Sequence, residues 1–305
     1  MDLSEFLRNG HGGLGWSRGR NGRPMVVRSI RRWWVLFTVP TVVAFIVGFI
    51  VPFLMGVWLS LCRFTTVTDA RFIGLTNYRA ALADGEFWHA LVYTVAFTVV
   101  TTVVVNVAGF AVAYMLTKAI RGANVFRSVF FMPNLIGGIV LGYIWLLLLN
   151  GVLSRWGRSI TYSGMYGFWG MVLLYCWQQI GYMMIIYIAG LQALPGDVLE
   201  AASVDGANSR QRLMLITLPL MMPSITVCTF LTVTNGFKMF DQNLALTNGA
   251  PSNTSELLAL NIYRTFYGRT GFEGVGQAKA VVFFVIVALI ALIQNRLTTS
   301  KEVTA

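Results

Sequence analysis

The sequence predicts an all-α integral membrane protein, and three observations carry that expectation. Of 305 residues, 56% are hydrophobic and 11% charged, against roughly 25% charged in ordinary soluble domains. Six apolar stretches are long enough to cross about 30 Å of hydrocarbon, which takes about 20 helical residues. Seven of the 23 basic residues, Arg8, Arg18, Arg20, Arg23, Arg28, Arg31 and Arg32, crowd in just before the first stretch. That placement fits a topology signal better than a nucleic-acid face, so no nucleic-acid partner is expected.

The elements follow in order. Residues 1–32 form a basic tract, and the Gly- and Arg-rich part at 9–24 is expected to be disordered. The apolar stretch after it exceeds the roughly 7–15 residues of a secretory signal, and no clear cleavage site follows, so the first span is expected to stay as an anchor. The six spans are read at 34–61, 88–116, 128–149, 168–192, 220–241 and 275–294. Each must be helical, because a backbone N–H or C=O in lipid needs an internal partner; the alternating ten-residue segments of a barrel are not seen. With the N-terminus inside, inner segments hold fourteen Lys and Arg and outer segments seven or eight. Both termini are therefore expected in the cytoplasm, as is the loop between spans four and five. The plan is a basic cytoplasmic segment at 1–32, a six-helix domain at 33–295 with a cytoplasmic loop at 194–222, and a cytoplasmic tail at 296–305. There is no convincing internal repeat.

Smaller features receive structural readings. Cys62, Cys176 and Cys228 lack paired or ligand spacing and read as packing residues, and His11 and His89 stand alone. No metal site and no catalytic residue is expected. Trp33, Trp34, Trp88, Trp156 and Trp169 sit near span ends, where amphipathic rings favour the interface. Pro52, Pro133 and Pro223 can bend or start helices, and Gly138 with Gly142 forms a small-xxx-small pair suited to helix packing.

The segment EAASVDGANSRQRLMLITLPLMMP, 200–223, carries four charges in a chain that is otherwise poor in them. Asp197 is expected to cap a short helix, with Glu200 completing a capping box. Gly206 should stop it, being able to adopt a left-handed conformation. Asn208 or Ser209 can then cap a second helix through Arg210, Leu213 and Ile216, until Pro219 and Pro223 redirect the chain into the bilayer. Such a helix–turn–helix exposes acidic groups, and Ala201, Ala202 and Ala207 would let another backbone approach closely. From the residues alone, a docking element and an amphipathic linker both remain open.

Glu200-Ala201-Ala202-x-x-Asp205-Gly206-Ala207, followed by Leu213, Ile216 and Pro219, resembles the cytoplasmic EAA loop of binding-protein-dependent ABC importer permeases. It departs at Leu213, where the family often has Phe. Similarity to maltose-type sugar permeases continues in FIGLTNYRAAL at 72–82, FRSVFFMPNLIGG at 126–138, GLQALPGDVLEAASVDGA at 190–207 and LALTNGAPSNTSELLALNIYRTFY at 244–267. The last of these narrows the resemblance to permeases for carbohydrate, especially oligosaccharides. The resemblance implies a type I ABC importer permease fold in a bacterial cytoplasmic membrane. It also implies a second, homologous permease as heterodimer partner, two copies of an ABC ATPase and an extracytoplasmic solute-binding protein. No G-x-x-x-x-G-K-[ST] loop occurs, so ATP and Mg²⁺ belong on the ATPase and this chain binds no cofactor of its own. Glu200, Ala201, Ala202, Asp205, Gly206, Ala207 and Leu213 are the implied ATPase-coupling residues, working by rigid-body motion.

Span five is polar for hydrocarbon, with Thr232, Thr234, Asn235, Gly236, Lys238, Asp241 and Gln242. Thr232, Asn235, Gly236 and Met239 share one face at helical spacing. By the resemblance that face and Tyr182 match sugar-contacting positions, with Gln178 and Gln179 one turn away; the rival role for Thr and Asn is bonding between helices. Lys238 and Asp241 are expected to pair near the outer interface. A permease for glycerol phosphate is a neighbouring alternative. An ion-coupled transporter would need intramembrane acids, of which only Asp241 qualifies, and a membrane-embedded enzyme lacks a convergent site.

Overall fold

The structure is a computed structural model that describes residues 36, 38–118 and 122–299. The expected basic segment 1–32 and most of the tail lie outside the described residues. The chain divides into two compact units, Met1–Gly56 and Val57–Ala305.

Among the described residues five helices are long and apolar enough to cross a membrane, or six if one bent pair is counted as a single span. The first, α1, is Thr38–Leu59, with a π turn at Ile46–Ile50 and apolar, exposed side chains. In the second unit a short antiparallel pair, β1 (Cys62–Arg63) and β2 (Arg71–Phe72), sets Cys62 opposite Phe72. Helix α2, Thr76–Ala83, holds β1 through Asn77, whose Nδ2 donates to the carbonyls of Ser60 and Cys62 at 2.9 and 2.8 Å.

Helix α3, Gly85–Leu116, begins three residues before the expected start because Asp84 caps it, accepting from the Glu86 amide at 2.9 Å. Helix α6, Gly164–Gln192, is the centre of the unit: 67% of its apolar window is buried, against 28% for α3. Its Met183, Met184 and Tyr187 join Phe97, Val105 and Ala113 of α3 in the main core. The three cysteines are all buried.

Two expected spans are corrected. The stretch 128–149 is two helices, α4 (Ala123–Phe131) and α5 (Gly138–Leu153), separated by a 3-10 turn at Met132–Leu135 and extended backbone at Ile136 and Gly137. Pro133 lacks the amide that would bond the Val129 carbonyl, and in the extended segment the Ile136 carbonyl accepts from Gln178 Nε2 of α6 at 3.3 Å. Gly181 makes room for this break, since a Cβ there would lie 1.8 Å from the Phe130 carbonyl oxygen.

The stretch 220–241 also divides. Helix α8, Ser209–Leu220, meets α9, Met222–Phe237, at 68°. This is the redirection expected from Pro219 and Pro223. Helix α9 ends at Phe237, and a separate helix α10, Asp241–Leu246, follows. The expected Lys238–Asp241 pair is therefore lost. Lys238 caps one helix and Asp241 opens another, and the ion pairs among the described residues are Arg264–Glu256, Arg269–Glu86 and Lys279–Asp84. Helix α10 lies on α5 through the small pair. Cβ atoms on Gly138 and Gly142 would meet those of Asp241 and Ala245 at 2.7 and 2.6 Å. Helix α11, Leu258–Gly268, and α12, Glu273–Thr299, complete the unit, with α12 continuing past the expected end at 294.

Candidate functional site

Two regions hold the residues singled out in the sequence. The first is the loop between α6 and α9. Helix α7, Gly196–Val204, has its N-cap at Pro195, two residues before the expected cap at Asp197, and no side-chain cap forms. Asp197 thus sits inside the first turn, where the helix dipole still favours it, and the expected capping box with Glu200 does not form. The expected stop does form. Gly206 has φ +79°, the Ala207 amide donates to the Ala202 carbonyl at 3.0 Å, and the Gly206 amide to Ser203 at 3.3 Å. This is the Schellman arrangement, which satisfies the last carbonyls of α7.

The chain then enters α8 through Asn208. Its Oδ1 accepts from the Gln211 amide while Gln211 Oε1 accepts from the Asn208 amide, each at 2.9 Å. Arg212 Nη1 donates to Ser203 Oγ at 2.7 Å, tying α8 to α7 across the Gly206 turn. These five bonds hold a helix–turn–helix element whose outer face is free: Glu200, Ala201, Asp205 and Gly206 are exposed, Ala207 and Leu213 half-exposed. Ala202 is the exception, buried at the base. Neither Glu200 nor Asp205 has an ion pair among the described residues. Val204, next to Asp205 in the chain, and Leu215 of α8 are exposed at 87% and 71%. An unpaired acid next to apolar surface is chemically suited to a partner with a basic-rimmed apolar groove.

The second region is the polar face of α9. The structure divides it. Thr232 is buried and its hydroxyl is already bonded, donating to the Cys228 carbonyl at 2.6 Å and accepting from Asn106 Nδ2 at 3.2 Å. Asn106 Oδ1 accepts from Tyr187 Oη at 2.6 Å, and Tyr175 Oη donates to the Thr232 carbonyl at 3.1 Å. Thr232 thus belongs to a bridge joining α3, α6 and α9. Gly236 is buried against Thr98, whose Oγ1 would lie 3.0 Å from a Cβ there. Met239 lies past the end of α9, in the main core, so helical spacing does not extend to it. Asn235 and Tyr182 are half-buried with no side-chain hydrogen bond among the described residues. Buried Thr98 Oγ1, Thr102 Oγ1 and Gln179 Oε1 also lack partners. Gln178 accepts from Gln242 Nε2 at 2.9 Å beside the break between α4 and α5.

Sequence reasoning missed Asn106, Tyr187 and the break. Asn106 stands alone in the run VVVNVAG, and an isolated intramembrane Asn is itself a signal. It also missed a polar cluster at the other end of the bundle. Lys279 Nζ, on α12, donates to Asp84 Oδ2, Asn261 Oδ1 and Thr265 Oγ1 at 2.6, 2.9 and 2.8 Å. Nearby Arg264 joins Glu256 and Asn253 at 3.1 and 2.6 Å, organising the loop at 247–257. Burial would raise the Asp84 carboxyl, but the hydrogen bond and charge of Lys279 outweigh it and hold it below its ordinary 3.8.

The family described as "Binding-protein-dependent transport system inner membrane component" matches residues 107–301. The probable starch degradation products transport system permease protein AmyD of Thermoanaerobacterium thermosulfurigenes is 40% identical over 89% of this chain and 95% of its own length. The trehalose/maltose transport system permease protein MalF of Thermococcus litoralis is 32% identical over 83% of this chain and 88% of that one. Among solved structures, a chain of a bacterial alginate ABC transporter, in complex with an alginate pentasaccharide-bound periplasmic protein, superposes with a TM-score of 0.76. It is 19% identical and covers 91% of this chain and 98% of that one, which is a likeness of fold.

Proposed function

We propose that this chain, which belongs to the family of binding-protein-dependent transport system inner membrane components, is one permease of an ATP-driven importer that carries carbohydrate, in particular an oligosaccharide. The observation that carries the reading is the loop at 196–212, a hydrogen-bonded helix–turn–helix with unpaired Glu200 and Asp205 on its free face. Supporting the sugar class are relatives whose names specify starch degradation products and trehalose or maltose.

In this reading ATP and Mg²⁺ sit on two copies of a separate ATPase, which grips α7 at Glu200, Ala201, Asp205 and Ala207. Arg212 and the Gly206 turn make α7 and α8 move together, and the 68° join to α9 passes that movement into the bundle. A second, homologous permease completes the path, and an external binding protein delivers the solute. Asn235 and Tyr182 have free hydrogen-bonding groups and are the side chains offered to sugar hydroxyls. Thr232 and Gly236 set the position of α9, and Met239 backs it.

The test is uptake of labelled solutes by cells carrying this chain and its partner subunits. Oligosaccharides should be taken up in preference to monosaccharides and to glycerol phosphate. Preferential uptake of glycerol phosphate would replace the sugar reading with its neighbour.

A further inference from the structure

A groove of about 620 Å³ runs between the C-terminal half of α5 and the N-terminal half of α6, lined by Trp145, Leu149, Val152, Leu153, Tyr166 and Trp169 among others. Its volume lies within the about 300–1,000 Å³ of small-molecule sites. The lining is almost wholly apolar and aromatic. From Trp145 to Leu153 the groove follows α5 for about 12 Å at 1.5 Å per residue, so it runs lengthwise along the helices. Its length and apolar lining suit a single extended acyl chain.

The mouth is basic. Arg158, in the turn between the two helices, donates to the Tyr166 hydroxyl and lies over the Tyr162 and Tyr166 rings, 5.3 and 5.7 Å from their centroids. Arg155 stands in the 3-10 turn Ser154–Trp156 directly after Leu153. Both arginines are exposed, and neither has an ion pair among the described residues. No Asp or Glu occurs in the sequence between Glu86 and Asp197, so their charge is not met by an acid on either helix. Guanidinium groups pair with phosphate by charge-assisted hydrogen bonds. Trp156 and Trp169, both exposed, add the ring chemistry of the interface.

The geometry points to a binding site for an anionic glycerophospholipid, with one acyl chain along the α5–α6 groove and the phosphate at Arg158 and Arg155. The site is separate from the α7–α8 loop and from the polar face of α9, and its occupancy does not depend on the transported solute.

The experiment uses the full chain in phosphatidylcholine nanodiscs doped with acyl-brominated phosphatidylglycerol or, at equal mole fraction, acyl-brominated phosphatidylcholine. Bromine quenches nearby tryptophan, and the share from Trp145 and Trp169 is obtained by difference from W145F/W169F. The brominated phosphatidylglycerol is expected to quench that share severalfold more than the brominated phosphatidylcholine. R155Q/R158Q should bring the two lipids level, and R158K should keep part of the difference. Both arginines are exposed, so these variants should fold; circular dichroism checks it. Equal quenching by the two lipids in the unaltered chain, or a preference surviving R155Q/R158Q, would overturn the assignment. So would a groove that neither lipid quenches once the chain is assembled with its partner subunits, which would mean that protein covers it.

Discussion

Nζ of Lys279, fully buried on α12, lies 2.6 Å from Oδ2 of Asp84, 195 residues earlier at the start of α3. One ion pair thus clasps the first long helix of the second unit to the last. Removing one member of a buried pair strands the other, at about 3–5 kcal/mol, and Asp84→Asn should fall at the low end because Asp84 is partly exposed. The melting temperature in detergent should drop, and D84N/K279M should recover part of the loss. No recovery in the double variant would show that Lys279 acts through Asn261 and Thr265 instead.

The same pair gives a pH dependence with a fixed sign. The folded Asp84 carboxyl titrates below its ordinary 3.8, so its contribution is complete above that value and is lost as pH falls below it through the folded value. Thermal melts of the unaltered chain and D84N should converge on acidification below 3.8 and stay apart above it. Convergence near neutral pH would contradict the assignment.

Gly206 isolates the role of the loop's backbone. Its φ is +79° and a Cβ would meet nothing within 4 Å, so substitution acts through conformation alone. An ordinary L-residue there costs about 1–2 kcal/mol, and Asn tolerates the conformation better. Gly206→Val should reduce ATP-driven uptake severalfold, with membrane insertion unchanged, and Gly206→Asn should fall between the two. Equal uptake in all three would remove the turn from the coupling path.

Gly181→Ala tests the break between α4 and α5. The added methyl group has no room beside the Phe130 carbonyl, and overpacking costs about 1–3 kcal/mol or more. Lower yield of folded protein and lost uptake are expected. Normal levels of both would mean that α4 can withdraw from α6.

The polar face of α9 separates by function. Tyr187→Phe leaves Asn106 Oδ1 without its 2.6 Å donor and should lower stability by about 0.6–1.7 kcal/mol, leaving the order of preferred sugars unchanged. Asn235→Ala should change uptake or that order with stability unaltered. A reversal of the two outcomes would exchange structural and solute-contacting roles.

What could be read from the sequence follows physical signal strength. Spans ending in caps or abrupt polarity changes were legible: α3 ends at Leu116 and α6 at Gln192 as expected. The Gly206 stop and the Asn208 cap were legible because each has a local backbone cause. The break after α4 was not. Leu135, Ile136 and Ile139 keep the run apolar across it, and the groups that permit it, Gln178 and Gly181, come from another helix. The cap was expected two residues late, at Asp197, because Pro195 supplies the starting conformation without a side-chain cap. Thr232, Gly236 and Met239 looked like one face because spacing says which residues align, not what the next helix already occupies.

The central claim is that force enters through the loop at 196–212 from an ATPase on another chain. The direct measurement is solute accumulation in proteoliposomes holding this chain with or without the partner permease and ATPase, with binding protein and ATP supplied. Accumulation of labelled oligosaccharide should require the ATPase and ATP and should fall sharply in the Glu200→Ala, Gly206→Pro double variant. Accumulation against a gradient by this chain alone, or full uptake by the double variant, would contradict the claim.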